Sequence, residues 1–168
     1  TKGAAIAPWG LWLDSGDLDK QIASYPTSVG GLIVSKTDYL AQEDALRINW
    51  TQSTGDYVRI STASPTSLAR ESNGAMELSF SAKSFNGAAT IQISQCDDDT
   101  KCDAILPIKL DLEWYEFSVS LSCFDNLGVD MSTISSAFVI KSETMADIGV
   151  ANIRLTPDID ARASCDGR

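Results

Sequence analysis

From Tyr115 to Leu121 the chain alternates without a break: Tyr115, Phe117, Val119 and Leu121 are apolar, whereas Glu116, Ser118 and Ser120 are polar. Successive side chains of a strand point to opposite faces, so a period of two describes a strand with one packed face and one wet face. The period recurs in Ala45–Trp50, with Leu46, Ile48 and Trp50 inward, and in Tyr57–Ile60, with Val58 and Ile60 inward. It recurs again in Met76–Ala82, with Met76, Leu78, Phe80 and Ala82 inward, and in Thr90–Ser94. Leu32–Val34 is a brief apolar run, and Ala137–Ile140 is apolar on both sides, as a central strand is. Ile105–Leu112 alternates weakly, with Pro107 marking an edge or a bend, and Asn152–Leu155 closes the series. Turn signals stand between these runs at Ser53–Asp56, Ser72–Gly74, Phe85–Gly87 and Asp125–Gly128. Short strands broken by turns about every 10 residues point to a sandwich or a barrel. Helix evidence is confined to single turns at Asp38–Ala45 and Met131–Ser136.

The 168 residues suit one domain with its own core, and 43% hydrophobic residues are enough to fill it. No apolar run approaches the roughly 20 residues of a membrane-spanning helix. The start, Thr1–Ile6, lacks an initiator Met and a signal-peptide core, and reads as a mature fragment or one domain of a longer protein. Residues 1–29 are dense in turn formers such as Pro8, Gly10, Gly16 and Pro26, and read as a linker or lead-in strand ahead of a module over 30–168 with a C-terminal tail. Trp9 and Trp12 lie inside that lead-in, where free exposure would be odd, so they are expected to dock on the domain or on a neighbour.

The net charge of −10, from 13 basic and 23 acidic residues, argues against nucleic acid and anionic membrane surfaces as partners. With no histidine, Ser-His-Asp and Cys-His catalysis and all His-liganded metal sites are excluded. Four cysteines, Cys96, Cys102, Cys123 and Cys165, allow three pairings. Cys96 and Cys102 flank a tight loop, which favours a local bridge and leaves Cys123 to tie down the tail through Cys165. The spacing fits a four-thiolate zinc site poorly, and an even count without Cys-x-x-Cys favours disulfides and an oxidising compartment, secreted or periplasmic.

Several segments together resemble a known module. Gln95-Cys96 through Cys102, Trp114-Tyr115-Glu116-Phe117, Leu121-Ser122-Cys123-Phe124 and Gly128-Val129-Asp130-Met131-Ser132 look like the C-terminal galactose-binding-like module of bacterial exo-β-glucanases and β-glucosidases of glycoside hydrolase family 3. The resemblance spans residues 30–157. It implies an all-β jelly-roll β-sandwich that follows two catalytic domains and contains none of their catalytic residues. The expected function is therefore that of a non-catalytic accessory module of a secreted β-glucan-degrading enzyme. Its partners would be a β-glucan or related polysaccharide and the catalytic domains of the same parent chain. A free-standing carbohydrate-binding adhesion module is the alternative.

Sugars are held by aromatic faces against their C–H surfaces and by planar polar groups that fork onto hydroxyls. The outward positions of the alternating runs supply such groups: Arg47, Asn49, Tyr57, Arg59, Glu77, Gln92, Trp114 and Glu116. The plainer alternative is a solvated sheet face with cross-strand ion pairs such as Arg59 with Glu77. Trp50 falls on the inward register and belongs to the core. Calcium is an expected structural ion, with Asp158 and Asp160 its candidate ligands by resemblance to related modules. Asp14, Asp17 and Asp19 are suggestively spaced but lack a loop pattern of their own, and Asp97–Asp99 read as solvated turn residues. A glycosidase in its own right would need a carboxylate pair such as Glu77 with Glu116, and nothing in the sequence makes their environments unequal.

Overall fold

The computed structural model of the chain describes residues 7–16, 18–97, 102–158 and 163–165. The strands are β1 (Gly10–Ser15), β2 (Leu18–Gln21), β3 (Thr27–Val29), β4 (Leu32–Thr37), β5 (Ala45–Trp50), β6 (Tyr57–Thr66), β7 (Met76–Ser84), β8 (Ala89–Cys96), β9 (Leu106–Leu110), β10 (Tyr115–Ser120), β11 (Ile134–Lys141) and β12 (Ala146–Pro157). Two short helices interrupt them, α1 (Ala69–Asn73) and α2 (Leu121–Asn126). The strands form two six-stranded antiparallel sheets, β2-β1-β6-β11-β8-β9 and β10-β7-β12-β5-β4-β3, hereafter the first and second sheets.

The alternating runs become strands because one face of each is apolar, and burying those faces against each other makes the sandwich. Phe80 of β7 stacks on Phe117 of β10 at 5.3 Å and meets Phe138 of β11, from the other sheet, at 5.4 Å. Trp50 is 1% exposed, and its indole N–H donates to the Asp56 carbonyl at 2.7 Å, so the register that assigns it to the core is right. Ala137–Ile140 lies in β11, between β6 and β8, the central place its two-sided apolarity predicts. Pro107 sits in β9, an edge strand, where proline is tolerated.

Three expectations need correction. Residues 10–29 are not a linker: they supply β1, β2 and β3, and Leu11 and Leu13 are core residues. Gly16 and Pro26 fall between these strands while Gly10 opens β1, and all four residues of β2 are exposed, so no alternation announces it. Trp9 and Trp12 accordingly dock on this domain, Trp9 against the core and Trp12 under the Arg59 guanidinium at 5.6 Å. The helical turns expected at Asp38–Ala45 and Met131–Ser136 are instead a loop and a turn leading into β11, and the helices lie at Ala69–Asn73 and Leu121–Asn126. Arg59 and Glu77, named as an example of a cross-strand ion pair on a solvated face, do not pair, because β6 and β7 belong to different sheets.

Both disulfides have the expected pairing, Cys96–Cys102 with Cα atoms 4.7 Å apart and Cys123–Cys165 with Cα atoms 5.5 Å apart. The second joins α2 to the tail, where Ser164 bridges Val119 on edge strand β10.

Candidate functional site

On the second sheet the outward residues of three neighbouring strands come into one row. Register places Lys83 of β7 opposite Gly149 of β12, and Gly149 opposite Arg47 of β5. Trp114, just ahead of β10, lays its ring across this row. A Cβ added at Gly149 would come 2.6 Å from Trp114 Cη2 and 2.9 Å from Cζ2, so the ring lies on bare backbone. Tyr39, from the β4–β5 loop, meets Trp114 edge-on with ring centres 4.8 Å apart, and its hydroxyl accepts from Ser81 Oγ at 3.1 Å. On the other side of Trp114, Lys83 Nζ stands 5.9 Å from its ring centre and 4.9 Å from that of Phe85. The Arg47 guanidinium lies 4.7 Å over the Phe85 ring. Tyr39, Trp114, Lys83, Phe85 and Arg47 thus form a strip of alternating rings and cations along the sheet face.

Hydrogen bonds fix Tyr39's loop and Arg47. The Asp44 carboxylate accepts the N–H groups of Tyr39, Leu40 and Ala41 at 2.7, 3.1 and 2.9 Å, which shapes the loop that carries Tyr39. Partial desolvation pushes the Asp44 pKa up, but these backbone donors outweigh it and leave the carboxyl below its ordinary range. Arg47 forks onto Asp147, Nε to Oδ1 at 2.8 Å and Nη2 to Oδ2 at 2.5 Å, which fixes the plane of its guanidinium. That bonding, which outweighs the cost of burial, raises its pKa. Lys83 has no carboxylate partner among the described residues, and its described neighbours are ring faces.

Beside the strip, at one end of the sandwich, the β7–β8 and β11–β12 connections cross from one sheet to the other. Between them and the end of β5 lies a cleft of about 570 Å³. Asn49, Asn86, Gln92, Glu143 and Asp147 are among its lining residues. The Arg47–Asp147 pair joins strip to cleft.

The residues singled out by alternation therefore divide. Arg47 and Trp114 join the strip, and Asn49 and Gln92 line the cleft. Glu77 faces outward on the same sheet, but its Oε1 accepts from Ser79, Ser118 and Thr156 hydroxyls at 2.7, 3.1 and 3.0 Å. Glu116 pairs with Arg154. The paired strands set Glu116 beside Ser81, four residues from Glu77. That sets their backbones ~13 Å apart along the strands, and each carboxylate is already engaged, Glu77 by three hydroxyls and Glu116 by Arg154. Tyr57 and Arg59 lie on the first sheet, away from the strip. Arg59 is 7% exposed and donates to Asp19 at 2.6 Å and to Ser61 at 3.0 Å. Tyr57 donates to Asp14, and burial together with that hydrogen bond pushes its pKa up to about 12. Burial also raises the Asp14 pKa, with the Tyr57 hydrogen bond opposing it. Asp158 accepts the Ala163 N–H at 3.2 Å, and its proposed partner Asp160 lies outside the described residues.

Sequence reasoning missed Tyr39, Lys83, Phe85 and Gly149. The outward phase of β7 carries on one step past Ala82 to Lys83, so that residue was within reach. Tyr39 and Phe85 sit in loops, where alternation has no meaning.

Several comparisons bear on this architecture. The extra C-terminal domain of the exo-1,3/1,4-β-glucanase ExoP from a Pseudoalteromonas species is similar at 17% identity and a TM-score of 0.68, covering 94% of this chain and 91% of that one. Against the longer ExoP chain the TM-score is 0.70 at 16% identity, covering 96% of this chain. This chain spans only 20% of the length of that enzyme. A family 11 carbohydrate-binding module from Clostridium thermocellum, in complex with a β-1,3-1,4-mixed-linked tetrasaccharide, gives a TM-score of 0.55 at 16% identity over 94% of this chain and 93% of its own. No curated protein matches the sequence. The model of the galactose-binding domain-like family Exop_C matches residues 7–155. The chain belongs to that family.

Proposed function

We propose that this domain is a non-catalytic module that holds a β-glucan chain along the strip of Tyr39, Trp114, Lys83, Phe85 and Arg47. The observation that carries the reading is the close seat of the Trp114 ring edge on Gly149, which fixes a large aromatic ring on the sheet face. A pyranose presents an apolar C–H face to such a ring, and Lys83 and Arg47 donate to its hydroxyls from the side. The mixed-linkage tetrasaccharide on the family 11 module supports a glucan as the ligand class. The parent would be a β-glucan-degrading glycoside hydrolase, as the ExoP likeness suggests, and the disulfides suit a secreted or periplasmic setting.

Affinity electrophoresis in gels containing mixed-linkage β-glucan, laminarin or a cellulose derivative tests this. The domain is expected to be retarded by at least one of them. Trp114→Ala should lose tenfold or more of the affinity, about 1.4 kcal/mol. A migration unchanged in every glucan overturns the reading. In that event a bracing role against catalytic domains becomes the better one, favoured by Leu112, ahead of edge strand β10, and Tyr115, which opens it; they are 53% and 50% exposed.

A further inference from the structure

We propose that the cleft between the two crossover connections is a second subsite, separate from the strip, and that it takes one neutral sugar unit. The proposal borrows its probe from the glucan-binding reading, but its geometry is independent of it. The cleft measures about 570 Å³, inside the ~300–1,000 Å³ span of small-ligand sites. Three structural pieces build it: Asn49 comes from β5, Asn86 from the β7–β8 connection, and Glu143 from the β11–β12 connection. The Asn49 and Asn86 side chains have no hydrogen-bond partner among the described residues. Each carboxamide offers two N–H donors and a carbonyl in one plane, the arrangement that forks onto neighbouring hydroxyls. Elsewhere on this sheet the polar side chains are mostly committed to each other, as Arg47 is to Asp147 and Glu77 to its three hydroxyls.

Gln92 adds a third group. Its Nε2 donates to Glu143 Oε1 at 2.9 Å, and its own Oε1 is buried without a partner. A buried acceptor with nothing to accept is costly. Charge decides which sugars fit. Among the described residues the lining holds the carboxylate of Glu143, which no cation pairs, and no Lys or Arg, so a uronate or sulfated unit meets like charge there. Met145, 72% exposed on the rim, offers apolar surface to the C–H face of a neutral pyranose.

A proton–nitrogen correlation NMR titration with a mixed-linkage β-glucan tetrasaccharide reads both sites at once. The side-chain amide signals of Asn49 and Asn86 are assigned by their loss in N49A and N86A. Those signals should shift in the parent domain, and should still shift in W114A. An oligogalacturonate should leave them in place. The N49A/N86A double variant should bind a longer glucan fragment at least threefold more weakly, while its Trp114 indole signal still responds. If the Trp114 indole moves and both amides stay still, the second subsite is overturned and the strip stands. If neither moves, both proposals fall. If the oligogalacturonate shifts the amides as strongly as the glucan does, the assignment to neutral sugars is overturned.

Discussion

Gly149 shows how much a single missing atom can decide. Its missing Cβ lets the outer edge of the Trp114 ring come close to the backbone, and any side chain there would push it away. Gly149→Ala should therefore lower glucan affinity tenfold or more. Its stability should stay within about 1 kcal/mol of the parent, since Ala is no worse than Gly in a strand and the ring end can shift. Isothermal calorimetry together with urea unfolding separates the two effects, and unchanged binding would show that the ring needs no such seat. Tyr57 supports a prediction of a different kind. Its folded pKa is raised from the ordinary 10 to about 12, so the folded state keeps the proton more tightly than the unfolded one. The stability it contributes is complete below pH 10 and is lost as the pH climbs toward 12. Thermal unfolding between pH 9 and about 12 should fall more steeply for the parent than for Tyr57→Phe; parallel curves would contradict the assignment. Tyr25, which burial also raises, contributes to the slope of both proteins. At this scale the sequence is legible in part. Trp114 could be recognised as an outward aromatic beside a strand, but nothing in a list of residues tells that a glycine from a strand more than thirty positions away lies beneath it.

The strands show where alternation works and where it stops. It worked for β5, β7, β8 and β10, where one face is apolar throughout, but it found only Asn152–Leu155 of β12 and left Ala146–Ala151 unread. It failed for β2, which is exposed throughout, and for β3, which has three residues. It is also interrupted inside β12, where the register with β7 shifts between Ala151 and Arg154 and Asn152 takes φ +54°. This bulge inserts one residue, so that Ile153 and Leu155 pack against the core while Arg154 faces outward to Glu116. Asn tolerates the left-handed region and a β-branched residue does not. Asn152→Val should cost about 1–2 kcal/mol in chemical denaturation, whereas Asn152→Gly should be near neutral. Equal costs for the two would mean that the side chain, and not the backbone angle, matters there. The loops that complete the strip were the least legible elements. Tyr39 depends on the Asp44 carboxylate gathering three backbone donors, a local bonding pattern rather than a periodic one.

For the whole molecule, a period of two says which side chains point inward but not which layer a strand joins. That is why the sandwich could be anticipated while Arg59 and Glu77, named as an example of a cross-strand pair, fall in different sheets. Layer membership is set by the connections, and this chain changes sheet at most of them. A fold built from such long-range pairings leaves its last strands dependent on whatever ties the ends down. Here the C-terminal tail returns to β10, an edge strand, through Ser164, and Cys165 anchors it to Cys123 on α2. The sequence separation across that bridge is 42, against 6 for Cys96–Cys102. Loop-closure entropy makes the longer bridge worth about 4 kcal/mol and the shorter about 2 kcal/mol. Against a typical domain stability of roughly 5–15 kcal/mol, the first is a large share. Replacing Cys123 and Cys165 by Ser should lower the stability of the domain by clearly more than replacing Cys96 and Cys102, as read from urea midpoints at constant slope. It should also leave the β10 edge open to pairing with other chains, visible as concentration-dependent association in light scattering. If the two double variants are equally stable and both stay monodisperse, the tail is decoration and the sandwich holds its edge strand without it.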